Sequence, residues 1–146
     1  MSDRFKVLLA VYIIFRRGKD VFLIRRFNTG YSDGMYTLPS GHVEDGESIV
    51  DAVLRETEEE VGVRLKENQI RHVHTMYRYR KDDPYIDFYF EAVDWSGEPC
   101  NAEDHKCNHA DWFNVNDLPD NILQYIPAVL IYLSQDRVFS EFLLEI

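Results

Sequence analysis

Glu56, Glu59 and Glu60 fall at i, i+3 and i+4 of a segment, residues 48–61, whose apolar residues recur with a helical period. At about 100° per residue the three carboxylates share an arc of about 100°. Ile49, Val50, Val53, Leu54, Thr57 and Val61 fill an adjoining arc of about 140°, a stripe that faces a core. Like charges at i and i+4 repel by about 0.2–0.5 kcal/mol per pair, so something must compensate them. A solvated acidic face is one answer. A bound cation is the other, and the flanking residues favour it: Gly41, Gly46 and Gly62 bracket the helix. A compact loop offering backbone carbonyls, next to three carboxylates, is an oxygen site for a hard cation.

The stretch GHVEDGESIVDAVLRETEEEVGV, Gly41 to Val63, resembles the Nudix box, G-x5-E-x7-R-E-U-x-E-E-x-G-U, where U is bulky and apolar. Gly41, Glu47, Arg55, Glu56, Glu59, Glu60 and Gly62 match every fixed position. Val63 fits a U position, and Thr57 departs from the other by carrying a hydroxyl. The resemblance implies an α+β fold of the Nudix type, an α/β/α sandwich with a mixed β-sheet between helices, as one domain over residues 1–146. It also implies hydrolysis of a nucleoside diphosphate linked to another group, with Mg2+ or Mn2+ as cofactor. A diphosphate is polyanionic and repels hydroxide, so cations are needed to neutralise its oxygens and activate water.

By motif position, Glu56, Glu59 and Glu60 are catalytic and hold the metal, with Glu56 a ligand or the base. Arg55 and Glu47 are expected to pair and hold those acids in place. A backbone carbonyl of Ser40 or Gly41 would complete the metal's shell, and Glu103 lies where some family members add a carboxylate. Ser40 stands where the family often has glycine, so a positive φ there would be disfavoured.

The elements that must position these groups are legible as periodicities. Residues 5–16 are apolar and β-branched, and Val21–Ile24 follows a turn at residues 17–19 as a hairpin partner. Asn28 to Gly34 reads as a surface loop near the ligand. Residues 69–79 and 85–93 alternate as two antiparallel strands joined at Lys81-Asp82-Asp83-Pro84, and residues 109–114 read as another strand. A second helix is expected over about residues 120–134, and a last strand near Val138–Leu144.

On these elements Arg25 and Arg26 end a strand facing opposite ways, so one of them is placed to reach a phosphate. Asn121 and Tyr125 resemble, by position, the part of MutT-like nucleoside triphosphatases that meets the base; helix capping and core packing are the rival explanations. The expected reaction is cleavage of a nucleoside triphosphate, a modified dNTP included, to NMP and pyrophosphate. A dinucleoside polyphosphate, ADP-ribose or nucleotide-sugar substrate is the first alternative, and a nucleotide sensor without turnover the second.

The chain of 146 residues is 45% hydrophobic with a formal net charge of −10, the composition of one soluble globular domain. Its acidity argues against a nucleic-acid polymer as partner, because that footprint is basic. The apolar run from Val7 to Phe15 is too short to span a bilayer, so no membrane partner is expected. Cys100 and Cys107 lack a metal-knuckle spacing and read as reduced thiols, consistent with a cytoplasmic protein, monomer or homodimer.

Overall fold

The computed structural model describes residues 3–79 and 83–144. Among these residues the fold comprises two sheets, two α-helices and a single 3-10 turn at Glu67–Gln69. The first sheet has five strands in the order β5-β1-β7-β6-β9: Ser40–His42, Leu8–Ile14, Tyr85–Ala92, Ile70–Tyr79 and Phe139–Leu143. It is mixed, since β1 runs parallel to β7 and β6 parallel to β9, while β5–β1 and β6–β7 are antiparallel. The second sheet centres on β3 (Asp20–Arg26), which pairs with β2 (Arg16–Arg17), β4 (Tyr36–Thr37) and β8 (Cys107–Asn114).

Alternation along β1 shows why the strand is apolar on both faces. Ala10, Tyr12 and Ile14 enter one core, where helix α2 (Tyr125–Ser134) contributes Ile126 and Val129. Val11, Ile13 and Phe15 enter another, where helix α1 (Ile49–Val61) contributes Ala52, Val53 and Val61. In β3, Val21 and Leu23 join the first core and Phe22 and Ile24 the second. Sheet between helices is therefore the arrangement, the α/β/α sandwich expected. No helix among the described residues is long and apolar enough to cross a membrane.

Three expectations need correction. The hairpin before β3 is only two residues long: Arg16 pairs with Val21 and Arg17 with Asp20, while β1 belongs to the other sheet. A buried Phe15 makes the crossing between sheets. Helix α2 starts at Tyr125 rather than at residue 120, because residues 121–123 are extended against β4. Tyr36 N–H donates to the Asn121 carbonyl at 2.7 Å and Leu123 N–H to the Tyr36 carbonyl at 3.0 Å. Strand β8 begins two residues earlier than expected, at Cys107. The final strand and the β6–β7 pair lie where the alternation put them; of the turn between β6 and β7, Lys81 and Asp82 lie outside the described residues.

Candidate active site

Helix α1 begins and ends on local signals. The Ser48 hydroxyl accepts the Asp51 N–H at 3.0 Å, and Gly62 closes the helix in the left-handed region at φ 72°. The Thr57 hydroxyl, on the buried side, donates to the Val53 carbonyl at 2.7 Å, so its departure from the motif leaves no unsatisfied group in the core.

The acids of α1 face β5. Glu60 accepts the Ser40 N–H at 2.7 Å. A Cβ built on Gly41 would stand 2.0 Å from the Glu56 Cδ, so any larger residue there must push the Glu56 carboxylate aside. Ser40 is not among the residues with positive φ, and serine fits its strand conformation without strain.

Arg55 ties this group together. Its Nε and Nη2 donate to the two Glu47 oxygens at 2.7 and 2.9 Å, and Nη1 donates to Glu56 at 2.8 Å and to Glu59 at 3.2 Å. Nη2 also donates to the His42 carbonyl at 3.1 Å. Arg55 and the Glu44 N–H together hold the Glu47 carboxyl down at about 2. Burial pushes Glu56 up, against the lowering effect of Arg55, and Glu59 and Glu103 add to the rise. Burial raises Glu60 further still, opposed by the Ser40 N–H and reinforced by Glu56 and Glu103.

Glu103 arrives from the loop before β8, and backbone bonds fix that loop to the end of α1. Cys100 N–H donates to the Val61 carbonyl and Ala102 N–H to the Glu60 carbonyl, each at 3.0 Å. Among the described residues no three His, Cys, Asp or Glu side chains form a ready-made ion cage. An open set is what Mg2+ uses, sharing its shell among a few carboxylates, waters and phosphate oxygens. Glu56, Glu59, Glu60 and Glu103 on one wall, with the Gly41 backbone pressed against Glu56, fit a divalent cation.

That wall belongs to a cleft of about 620 Å3 between the two sheets, within the range of small-molecule sites. The cleft is lined as well by Arg26 from β3, by Asn28, Thr29 and Tyr31 from the following loop, and by Lys106, whose N–H donates to the Glu103 carbonyl at 2.9 Å in the loop before β8. The 28–34 loop holds its own shape: Asp33 accepts N–H groups of Thr29 and Gly30 at 3.0 Å each, and Arg26 Nε donates to the Tyr31 carbonyl at 2.7 Å. Tyr12, Arg78, Tyr85, Leu123 and Tyr125 also line it; Tyr12 is the strand partner of Ser40, and the Tyr85 hydroxyl stands 3.3 Å from His42 Nε2.

Of the residues singled out from the sequence, Ser40, Gly41, Glu56, Glu59, Glu60, Glu103, Arg26 and Tyr125 line this cleft. Glu47 and Arg55 stand behind the acids. Arg25 points away, donating to Asn108 Oδ1 at 2.7 Å and lying over the Tyr36 ring. Asn121 is not among the lining residues, and its side chain donates to the Gly34 carbonyl at 2.7 Å as a tie between loops. Arg78 and Tyr85 were not anticipated. Arg78 carried a signal, being a charged residue in the alternation that buries His74 and Met76.

A NUDIX domain model matches residues 6–132. The NAD-capped RNA hydrolase NudC of Chromobacterium violaceum is 30% identical over 112 residues, 75% of this chain, which spans 39% of that longer protein. The 8-oxo-dGTP diphosphatase of Escherichia coli is 31% identical over 99 residues, covering 67% of this chain and 74% of the relative. Among solved structures, a MutT NUDIX hydrolase from Burkholderia pseudomallei superposes with a TM-score of 0.75 at 26% identity, covering 89% of this chain and 98% of the other. A MutT protein from Methanosarcina mazei shares the fold, with a TM-score of 0.78 at 18% identity, covering 92% of this chain and 98% of the other. Nudix hydrolases generally use divalent metal ions. One of these relatives is named for a capped RNA, a class of partner that the acidic composition had argued against. With a domain match that leaves little of the chain outside it, and hydrolases among its relatives, the chain belongs to the Nudix hydrolase family.

Proposed function

We propose that this chain is a Mg2+- or Mn2+-dependent pyrophosphohydrolase that cleaves a nucleoside triphosphate, a modified dNTP included, to the monophosphate and pyrophosphate. The observation that carries the reading is one cleft lined by Glu56, Glu59, Glu60 and Glu103 together with Arg26, Lys106 and the rings of Tyr31, Tyr85 and Tyr125. Carboxylates and cations suit the phosphates, and aromatic rings the base, of a single nucleotide. The match over most of the length of a relative named as a dGTP-derivative diphosphatase supports the same choice.

A divalent cation on the acidic wall supplies neutralisation of phosphate oxygens and activation of water. The chain's residues do the rest. Glu56, Glu59 and Glu60 present oxygens from one helix edge, and Glu103 adds one from the loop tied to the end of that helix. Arg55 fixes the Glu56 carboxylate through Nη1 and is itself fixed by Glu47, so the acids are oriented before substrate arrives. Arg26 and Lys106, cations lining the same cleft, meet the phosphate oxygens not engaged by the cation. Tyr31 and Tyr125 give the base an aromatic wall.

The test is a turnover screen with Mg2+ and with Mn2+ over nucleoside triphosphates, oxidised purine triphosphates, dinucleoside polyphosphates, ADP-ribose, nucleotide sugars and NAD-capped RNA. A triphosphate preferred over the rest, with turnover lost in Glu59→Gln and Glu60→Gln, is the expected result. Preference for any other member of the panel, or silence across it, overturns the proposal.

A further inference from the structure

A second cavity, of about 300 Å3, lies where β2, β6 and the segment between α2 and β9 come together, and it shares no lining residue with the nucleotide cleft. The two sit toward opposite ends of one ladder: Arg78 of the cleft pairs with Tyr85 at one end of β6–β7, and Arg71 of the second cavity with Glu91 near the other. Three arginines line it, Arg16 from β2, Arg71 from β6 and Arg137 from the segment before β9. A chain with 16 Lys and Arg against 26 Asp and Glu has few cations to spare, so three in one hollow call for a reason.

Ion pairing within the protein accounts for only part of them. Glu91, largely buried, accepts Arg16 Nε at 2.8 Å through Oε2 and Arg71 Nη2 at 2.7 Å through Oε1. Glu91 does not line the cavity, whereas both arginines it holds do. Arg137 is fixed without a carboxylate: Nε donates to the Phe139 carbonyl at 3.0 Å, and Cζ lies 4.5 Å from the centre of the Tyr132 ring. Among the described residues Arg137 Nη1 and Nη2, Arg71 Nε and Nη1, and Arg16 Nη1 have no protein acceptor. Asp136 is the one carboxylate among the lining residues. Three guanidiniums against Glu91 and Asp136 leave one positive charge in excess, on a molecule that is negative overall.

The unspent donors define the ligand. Guanidinium nitrogens donate and never accept, so the partner is an acceptor, and an anion to balance the excess charge. A planar carboxylate offers its two oxygens to a single fork, whereas a phosphoryl group carries three terminal oxygens in different directions, which suits donors arriving from three separate elements. His72, whose Nε2 meets the Thr75 hydroxyl at 2.8 Å, adds a polar ring to the lining. Val73, Leu133 and Val138 give it an apolar part, which suits the carbon skeleton of an ester. A volume at the lower end of small-molecule sites holds a phosphate on a small body, not a dinucleotide.

We propose that this cavity is an anion site separate from the hydrolytic cleft, and that Arg16, Arg71 and Arg137 bind there the phosphate of a small monoester, or inorganic phosphate itself. The site does not depend on the reaction proposed above, since it takes no residue from the cleft.

Inorganic phosphate and glycerol phosphate are the probes, titrated calorimetrically into the intact protein at constant ionic strength and without added metal, so that the cleft carboxylates repel them. Arg71→Gln and Arg137→Gln should each weaken binding at least about tenfold, the loss of one charge-assisted hydrogen bond. Asp136→Asn should tighten it by removing the opposing charge, and asparagine takes the φ of 53° at that position as readily as aspartate does. Arg26→Gln, in the cleft, should leave the affinity unchanged. Tighter binding of glycerol phosphate than of phosphate assigns the site to an ester, and equal or weaker binding assigns it to the free anion. No binding of either probe, affinity lost in Arg26→Gln, or affinity unchanged in either Arg71→Gln or Asp136→Asn overturns the proposal. Arg137→Gln is read beside a melting curve, because Arg137 also packs on Tyr132.

Discussion

Glu56 is held in place by what position 41 lacks. A methyl group there would stand 2.0 Å from the Glu56 Cδ, and backbone on one side and Arg55 on the other leave the carboxylate little room to yield. Gly41→Ala should therefore displace Glu56 by about an ångström and lower kcat about 100-fold, the usual cost of such a misplacement. The melting temperature should barely move, because the glycine φ is not in the left-handed region and the helix keeps its caps. Steady-state kinetics beside thermal denaturation checks this, and an Ala variant of full activity would refute it. The three helix acids were legible from their spacing, and Gly41, Glu47 and Arg55 from the resemblance to the Nudix box, because one loop and one helix hold them all. Arg78 with Asp87 was not, since β6 and β7 build that pair across a sheet and only burial exposes its meaning.

Helices and strands were read with unequal success for reasons visible in their residues. Ser48 and Gly62 mark α1 at both ends, and the structure stops where they say. For α2 the apolar spacing of Ile122, Leu123 and Ile126 mimicked a helix, although the first two pack as extended chain beside β4. Pro127 was the overlooked marker. A helix from residue 120 would place it where its missing N–H is needed, whereas a start at Tyr125 puts it in the first turn, where N–H groups lack partners anyway. The junction of β6, β9 and α2 also carries a titration. His74 is wholly buried, with Nδ1 bonded to the Arg137 carbonyl and Nε2 to Ser140 Oγ, each at 2.7 Å, and stacks on Tyr132. Burial lowers its pKa from 6.5, against the raising effect of the Arg137 carbonyl. The unfolded chain then binds a proton that the native state refuses, so stability is full above pH 6.5 and falls as pH drops toward the folded pKa. Urea denaturation at about pH 7.5 and pH 5.5 should show this loss, and His74→Gln should flatten it. Parallel pH dependence in both proteins would remove His74 as the cause.

For the molecule as a whole, a net charge of −10 confronts a polyanionic substrate. Arg26 and Lys106 act only within the cleft, while the wider field repels a nucleotide still in solution. Raising ionic strength from about 20 to about 150 mM at saturating Mg2+ should therefore raise kcat/KM, because screening acts first on the distant charges. A fall would mean that the cleft cations govern encounter. The topology sets a different constraint. Leu8 pairs with Tyr85 and Ile14 with Glu91, so the first buried strand of the chain, with β5 on its other edge, waits for partners far along the sequence. On a ribosome adding about 5–20 residues per second, those partners follow roughly 4–15 s later. Through that interval Leu8–Ile14 has only the three residues of β5 to pair with along one edge, leaving an apolar segment of the nascent chain open to misassembly, and synthesis rate becomes a determinant of yield.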